Sequence, residues 1–271
     1  MPEHILPLPP KWEKDVDCGW VVFKSGKDDI RGYFAKPKGG GNLPALVMSP
    51  ENLGVIEHRQ DVTRRLAKAG YAALTLDPYS RIGGQSPRDF KSHEERRIKA
   101  TLATPDEQTV PDLQACADYL ASLPEVDAGR IGAIGYCSGG GQLYAWICGQ
   151  SRGLKCAAVF YGAPLVRGNG RADGKDLDRA AHGRTLQVPI LIHHGDADKS
   201  VALDEAKRMV EALKTSGQPV EFHIYSGADH AYHDDSHPQY HAEASQMSWA
   251  RTIDYFDSYL KTAPAARAVA G

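Results

Sequence analysis

Arg130-Ile-Gly-Ala-Ile-Gly-Tyr-Cys-Ser-Gly-Gly-Gly141 is the stretch whose reading decides the fold. Ile131, Ala133 and Ile134 predict a short buried strand, and Gly135 and Gly139 stand two residues to either side of Cys137. From Gln142 to Cys148 the chain carries enough helix formers and apolar residues to begin a buried helix. Gly-x-Cys-x-Gly between a strand and a helix predicts a sharp turn with a nucleophile at its tip. Such a turn strains the backbone of its central residue and leaves room only for small residues two positions away. The side chain then stands at the N-terminus of the following helix, where the dipole favours a thiolate. The Ser138 N–H at the same point can hold an oxyanion. A packed cysteine in a glycine-rich turn is the plainer alternative, so the rest of the chain must supply a base and an acid.

Outward from this turn the chain alternates strand and helix. Two strands over 19–23 and 30–35 are expected to form a hairpin about Ser25-Gly26-Lys27-Asp28-Asp29, followed by strands at 45–48 and 72–76. Between them Val62, Leu66 and Ala69 mark one face of a helix that Gly70 stops. Leu113, Cys116, Ala117 and Leu120 form an i, i+3, i+4, i+7 stripe on a helix over 110–123. After the turn come strands at 157–161, 190–193 and 220–225 and a helix over 203–214. A last helix is lined by Trp249, Ile253, Phe256 and Leu260. This alternation implies a mainly parallel sheet covered by helices on both faces. Residues 1–271 are expected to form one domain, with an N-terminal extension over 1–15 and a frayed tail over 263–271. Two long, charged connections, 79–109 and 162–187, begin just after strands and so fall at the sheet edge where sites form; they are expected to be a pocket rim or lid.

Composition narrows the function. The chain has 271 residues, 42% of them hydrophobic, and 32 basic against 34 acidic residues give a formal net charge of -2. No basic field for nucleic acid or anionic lipid follows from that balance. Five cysteines without framework spacing suit reduced thiols better than disulfides. Met1 to Pro10 is proline-rich and lacks the regions of a secretory signal, and no apolar run approaches membrane-spanning length. A cytoplasmic protein is expected; the sequence does not speak to its oligomeric state.

A thiol nucleophile needs a base, and the base needs an orienting group. Tyr225-Ser-Gly-Ala-Asp-His-Ala-Tyr232 puts His230 in the loop after the last strand, and Leu191-Ile-His-His-Gly-Asp-Ala-Asp-Lys-Ser-Val201 puts Asp198 after the preceding one. Asp196 is the rival acid, but Gly-x-x-Asp ahead of Val201 points to Asp198. The order nucleophile, acid, histidine is that of α/β-hydrolases. His193, His194 and His223 fall at or within strands and are expected to be packing groups. His230, His233 and His237 with Asp234 and Asp235 match no metal-ligand spacing, so no metal is expected, and acyl transfer through a thiol needs no cofactor.

Three blocks, Gly-Tyr-Cys-Ser-Gly-Gly, Gly-Asp-Ala-Asp-Lys-Ser-Val and Gly-Ala-Asp-His-Ala-Tyr, resemble the catalytic segments of the dienelactone hydrolase family. Pro50-Glu-Asn-Leu-Gly54 resembles its Glu-bearing turn, and Leu76-Asp-Pro-Tyr-Ser-Arg81 its Asp-Leu-Tyr-x-Arg segment. The likeness runs in order from about Val21 to Leu260. It implies an α/β-hydrolase fold with Cys137 as nucleophile, His230 as base and Asp198 as its orienting acid. It further implies Glu51 as partner of the resting thiol, and an oxyanion hole from the N–H groups of Asn52 and Ser138. Arg81 matches an arginine that binds the substrate carboxylate, and Tyr136, beside the nucleophile, is assigned to substrate binding with it. The family enzyme that opens dienelactone has a second arginine four residues after the histidine; here that position is Asp234. Arg88, Arg179 or His233 are the candidates to replace it.

The expected reaction is hydrolysis of a small ester or lactone through a thioester. Two other classes stand beside it: a redox-active thiol protein, with Cys148 the nearest candidate partner for Cys137, and a non-catalytic binding protein on a hydrolase fold.

Overall fold

The apolar run at 131–134 lies inside the central strand of an eight-stranded sheet. The computed structural model describes residues 14–84, 91–162, 166–167 and 177–261. Most of the expected extension over 1–15, the tail over 263–271 and Arg88 fall outside the described residues.

The chain opens with β1 (Val16–Ser25) and β2 (Asp28–Pro37), a hairpin in unbroken register from Val16 opposite Pro37 to Ser25 opposite Asp28. Gly26, at φ 59°, supplies the left-handed residue that its tight turn requires. Then follow β3 (Leu43–Ser49), α1 (Glu57–Lys68), β4 (Ala72–Leu76), α2 (His93–Ala103), α3 (Asp106–Ser122), β5 (Val126–Tyr136), α4 (Ser138–Ile147) and β6 (Leu154–Phe160). Two short strands, β7 (Val166–Arg167) and β8 (Leu177–Asp178), pair with each other outside the main sheet. The chain continues through a 3-10 helix at Arg179–Thr185, then β9 (Ile190–Gly195), α5 (Leu203–Lys214), β10 (Val220–Tyr225) and α6 (Ala242–Leu260).

The main sheet runs β1-β2-β4-β3-β5-β6-β9-β10. Only the β1–β2 and β2–β4 pairings are antiparallel; from β4 to β10 every neighbour is parallel. Parallel strands are covered on both faces, and the period of two divides their side chains between two cores. Val47, Leu74, Ala133, Val159 and Ile192 point toward α3, α4 and α5, packing with Leu113, Leu120, Trp146 and Val210. Leu46, Met48, Ile134, Ala158 and Leu191 point the other way and meet Val62 and Leu66 of α1 and Phe256 and Leu260 of α6. Burial of these apolar surfaces is the main force that holds the layers together.

Two expectations need correction. The connection over 79–109 is not loop throughout: α2 occupies much of it, capped by the Ser92 hydroxyl, which accepts from the Glu95 N–H at 3.1 Å. The following helix begins at Asp106 rather than at Val110 and carries Pro111 inside it. Among the described residues, no helix is long and apolar enough to cross a membrane.

Candidate active site

β5 ends at Tyr136 and α4 begins at Ser138, so Cys137 alone makes the turn, at φ 51° and ψ -121°. That backbone state is strained for a residue with a side chain, and the contacts around it hold it there. The Cys137 N–H donates to the Phe160 carbonyl at 3.0 Å, and the Cys137 carbonyl accepts from the Gly141 N–H at 3.1 Å. The flanking glycines are steric necessities. A Cβ on Gly139 would lie 2.2 Å from the Ser49 carbonyl oxygen and 2.3 Å from that of Pro50, and one on Gly135 would lie 2.8 Å from the Gly139 carbonyl. The Cys137 turn is thus wedged against the end of β3.

Two loops at the same edge converge on the thiol. Asp198 follows β9, and its Oδ1 accepts from the N–H groups of Ser200 and Val201, both at 2.8 Å. This fixes its Oδ2 2.8 Å from Nδ1 of His230, which follows β10. His230 Nε2 in turn lies 3.0 Å from Cys137 Sγ. Burial works against a charge on His230, yet the thiolate of Cys137 and the Asp198 carboxylate outweigh it and lift its pKa to about 10. The arrangement therefore sets a proton-holding imidazole against the Cys137 sulfur. Asp196 turns away and accepts the Gly227 N–H at 2.7 Å, tying the two loops together.

The residue before His230 is a second clamp. Asp229 accepts from the backbone N–H groups of Lys199 (2.9 Å) and His230 (2.7 Å) and from the Gln239 amide (3.0 Å). Burial would raise its pKa, but these donors bring it down to about 2, so the clamp is ionised across the neutral range. Tyr161, at φ 39°, sets its ring 5.1 Å from the His230 ring.

Of the two N–H groups expected to hold an oxyanion, that of Ser138 belongs to the first residue of α4 and so has no acceptor within the helix. Asn52 lies in a turn closed by the Gly54 N–H donating to the Glu51 carbonyl at 2.9 Å. The Asn52 carbonyl accepts from the Tyr79 hydroxyl at 2.7 Å. Glu51 sends its carboxylate to the Nε–H of Arg59 rather than to Cys137. Arg59 is buried, with its guanidinium 3.8 Å above the Tyr136 ring. Tyr136 is itself fully buried and stacked on Phe160, so its side chain belongs to the core beneath the turn.

The cations expected to meet a substrate carboxylate are engaged elsewhere. Arg81 donates Nε–H to Asp28 at 2.7 Å and both Nη groups to buried Asp112, at 2.5 and 3.0 Å. Arg179 donates to both oxygens of Asp106, at 2.7 and 2.8 Å. His233 is buried and its pKa lies well below the usual histidine value, chiefly because burial disfavours its charge. Asp234 accepts the backbone N–H and hydroxyl of Ser236, at 2.9 and 2.6 Å.

His193 and His194 are packing groups, as expected for strand-end histidines. His193 lies between the Tyr225 and Thr252 hydroxyls, and His194 contacts the Val201 carbonyl. Of the metal candidates, Asp234 and Asp235 do gather, with His58 of α1, their ligand atoms within 4.8 Å of one another. Arg65 lies 2.9 Å from Asp235 and the His58 Nδ1 2.9 Å from it, so these oxygens already have a guanidinium and a ring nitrogen as partners. Arg59, Tyr161 and Asp229 were not found from the sequence. For Arg59 a signal existed: it shares the i, i+3, i+7 stripe of Val62 and Leu66, where a cation is out of place.

Sheet order, helices on both faces and the strained turn after β5 define an α/β-hydrolase fold. The profile of the dienelactone hydrolase family matches residues 30–260. The chain belongs to that family. It is 32% identical over 230 residues to a protein of Methylorubrum extorquens named "Putative carboxymethylenebutenolidase", covering 85% of this chain and 77% of that one. It is 30% identical over 241 residues to a Bradyrhizobium protein named "Probable 2-oxo-3-(5-oxofuran-2-ylidene)propanoate lactonase", covering 89% and 94% of the two chains. Among solved structures, a "Putative Dienelactone Hydrolase" from Klebsiella pneumoniae superposes with a TM-score of 0.81 at 29% identity, over 90% of this chain and 99% of that one.

Proposed function

We propose that this protein hydrolyses a small ester or lactone in two acyl-transfer steps at Cys137. The observation that carries the reading is the relay from Asp198 Oδ2 to His230 Nδ1 at 2.8 Å and from His230 Nε2 to Cys137 Sγ at 3.0 Å. The Cys137 thiolate attacks the carbonyl carbon, and the N–H groups of Asn52 and Ser138 hold the tetrahedral oxyanion. His230, already carrying the proton, gives it to the departing oxygen as the C–O bond breaks and a thioester forms. It then takes a proton from water, which attacks the thioester and releases the acid, and the proton returns to the pair. Asp198 keeps the imidazole in the tautomer that presents Nε2 to sulfur.

Thiolate leaves a tetrahedral centre more readily than alkoxide or amide nitrogen, so activated esters and enol lactones suit this nucleophile better than amides. The names of the relatives, a carboxymethylenebutenolidase and a lactonase, agree with that class. With Arg81 bound to Asp28 and Asp112, and Asp234 where a second arginine would stand, the reading favours a substrate that does not depend on two cationic contacts. The small molecule is the only partner this chemistry needs, and the mechanism uses no cofactor.

The redox reading is weaker. Cys148 stands at the far end of α4, about 16 Å of helix rise from Cys137, and is buried. Hydrolysis of aryl acetates and five-membered lactones by the parent protein and Cys137→Ala tests the proposal. The parent should turn over and the variant should lose about 10³-fold or more. Mass spectrometry of a quenched reaction should find the acyl group on Cys137. Turnover that survives Cys137→Ala would overturn it.

A further inference from the structure

A fully buried arginine lies beneath the reacting groups, and the mechanism above has no use for it. Arg59 sits on the apolar face of α1, where a charge is unfavourable unless something compensates it. Its compensation is Glu51, and the pair is close to self-contained: Glu51 Oε1 and Arg59 Nη1 are buried and reach no further hydrogen-bond partner among the described residues. Burial pulls down the pKa of Arg59, but Glu51 first, and then Tyr161, Tyr136 and Asp234, more than restore it.

The position of this pair matters more than its existence. Glu51 directly precedes Asn52, whose N–H is assigned to the oxyanion, and Tyr136 directly precedes Cys137. Arg59 holds the first by its Nε–H and covers the ring of the second at 3.8 Å. The two segments abut, since Gly139 has no room for a Cβ against the Ser49 and Pro50 carbonyls. A buried carboxylate on this junction, left without its cation, would oppose negative charge on sulfur.

We infer that Arg59 is a positioning residue: by neutralising and holding Glu51 it keeps that carboxylate away from Cys137, so that the thiol faces His230 alone and is activated there. The inference rests on the reading of Cys137 as nucleophile. The other charged or titratable groups facing this junction are His230, Asp198 and Asp229 from the loops after β9 and β10, Tyr161 after β6, His233 and Asp234, and His58 and Arg65 of α1. None of them changes in the variants below.

The test reads the thiol directly, by the rate of iodoacetamide labelling at Cys137 against pH, with site-resolved mass spectrometry. Removing one member of the pair leaves one charge of known sign. Arg59→Met should move the labelling midpoint up by about one pH unit, and Glu51→Gln should move it down by a similar amount. Arg59→Met/Glu51→Gln should return it close to the parent, and Arg59→Lys should restore most of the parental position. On the aryl ester, Arg59→Met should lower kcat/KM by about tenfold or more at pH 7, with KM little changed.

A merely structural Arg59 would lower the melting temperature in every variant without opposite shifts of the midpoint, and that result would overturn the inference. So would a double variant displaced as far as Arg59→Met. If Arg59→Met does not fold, the signs for Glu51→Gln and the double variant against Arg59→Lys still decide. Labelling does not need turnover. Failure of the hydrolase reading would show as activity surviving Cys137→Ala, and failure of this inference as midpoints that do not move.

Discussion

At the scale of single residues, the site depends on the strained backbone of Cys137 and on one proton. Holding Cys137 at φ 51° costs about 1–3 kcal/mol, which the packing of the surrounding turn offsets. In return Sγ stands at a helix N-terminus, 3.0 Å from an imidazole whose pKa is raised to about 10. A thiol so placed, at a helix N-terminus and beside an imidazole, should react ahead of a cysteine that has neither. Iodoacetamide at pH 6 should label Cys137 ahead of exposed Cys18, whose advantage is access alone. Cys116, Cys148 and Cys156 should stay unlabelled: they are buried, and burial pushes the Cys148 thiol up to about 12. Equal labelling of Cys18 and Cys137 at pH 6 would contradict activation of Cys137 by its setting. Asp198→Asn should fold but present the wrong tautomer to sulfur, lowering kcat by about 10⁴ if it behaves like the aspartate of a serine protease. Asp196→Asn loses a tie to Gly227 and not to the imidazole, so its effect should stay within a few-fold.

At the scale of elements, the turn between β5 and α4 is set by space rather than by propensity. Gly139→Ala forces a Cβ to within 2.2 Å of backbone oxygen, which nothing flexible can relieve, and should cost about 3–5 kcal/mol. Gly19→Ala, in β1 with open space around it, should stay within about 0.5 kcal/mol. Thermal melts of the two variants give the comparison. The same elements show what was legible in the sequence. The strands and the inward-facing helices were, because Val62, Leu66, Leu113, Leu120 and Val210 repeat at the helical period and end up buried. α2 was not, because its apolar residues Ile98 and Leu102 form an i, i+4 pair that faces water and so gives no core stripe to read. Asp198 and His230 were legible because each lies in a short loop after a strand. Arg59 was overlooked although it lies on the stripe of Val62 and Leu66, because its partner Glu51 belongs to the turn before α1 and nothing in the sequence joins the two.

At the scale of the whole molecule, the parallel sheet gathers at one edge the turns after β3, β5, β6, β9 and β10, and these carry Glu51, Cys137, Tyr161, Asp198 and His230. Arg81 follows β4 at that edge as well, and position alone suggested a role in binding anions. Its partners come from far along the chain, Asp28 at 53 residues' and Asp112 at 31 residues' separation, so sequence could not show that they claim it. Arg81 joins the β1–β2 hairpin to α3 through a bidentate contact with Asp112, whose side chain is only 2% exposed. Arg81→Ala would leave that carboxylate buried without a cation. The cost should be about 2–3 kcal/mol, below the value for a fully buried pair because a quarter of the Arg81 side chain still meets water. The fall in melting temperature should be partly reversed by Asp112→Asn in the same chain, which removes the orphaned charge. If Arg81 is a strut, kcat/KM for a carboxylate-bearing lactone and for a neutral aryl ester should fall by the same factor, following the loss of folded protein. A loss of ten- to a hundred-fold confined to the acidic lactone, with stability unchanged, would instead mean that Arg81 leaves Asp28 and Asp112 to take the substrate carboxylate. The ratio of the two substrates' losses decides between strut and anion site, because a structural defect cannot distinguish a charged ester from a neutral one.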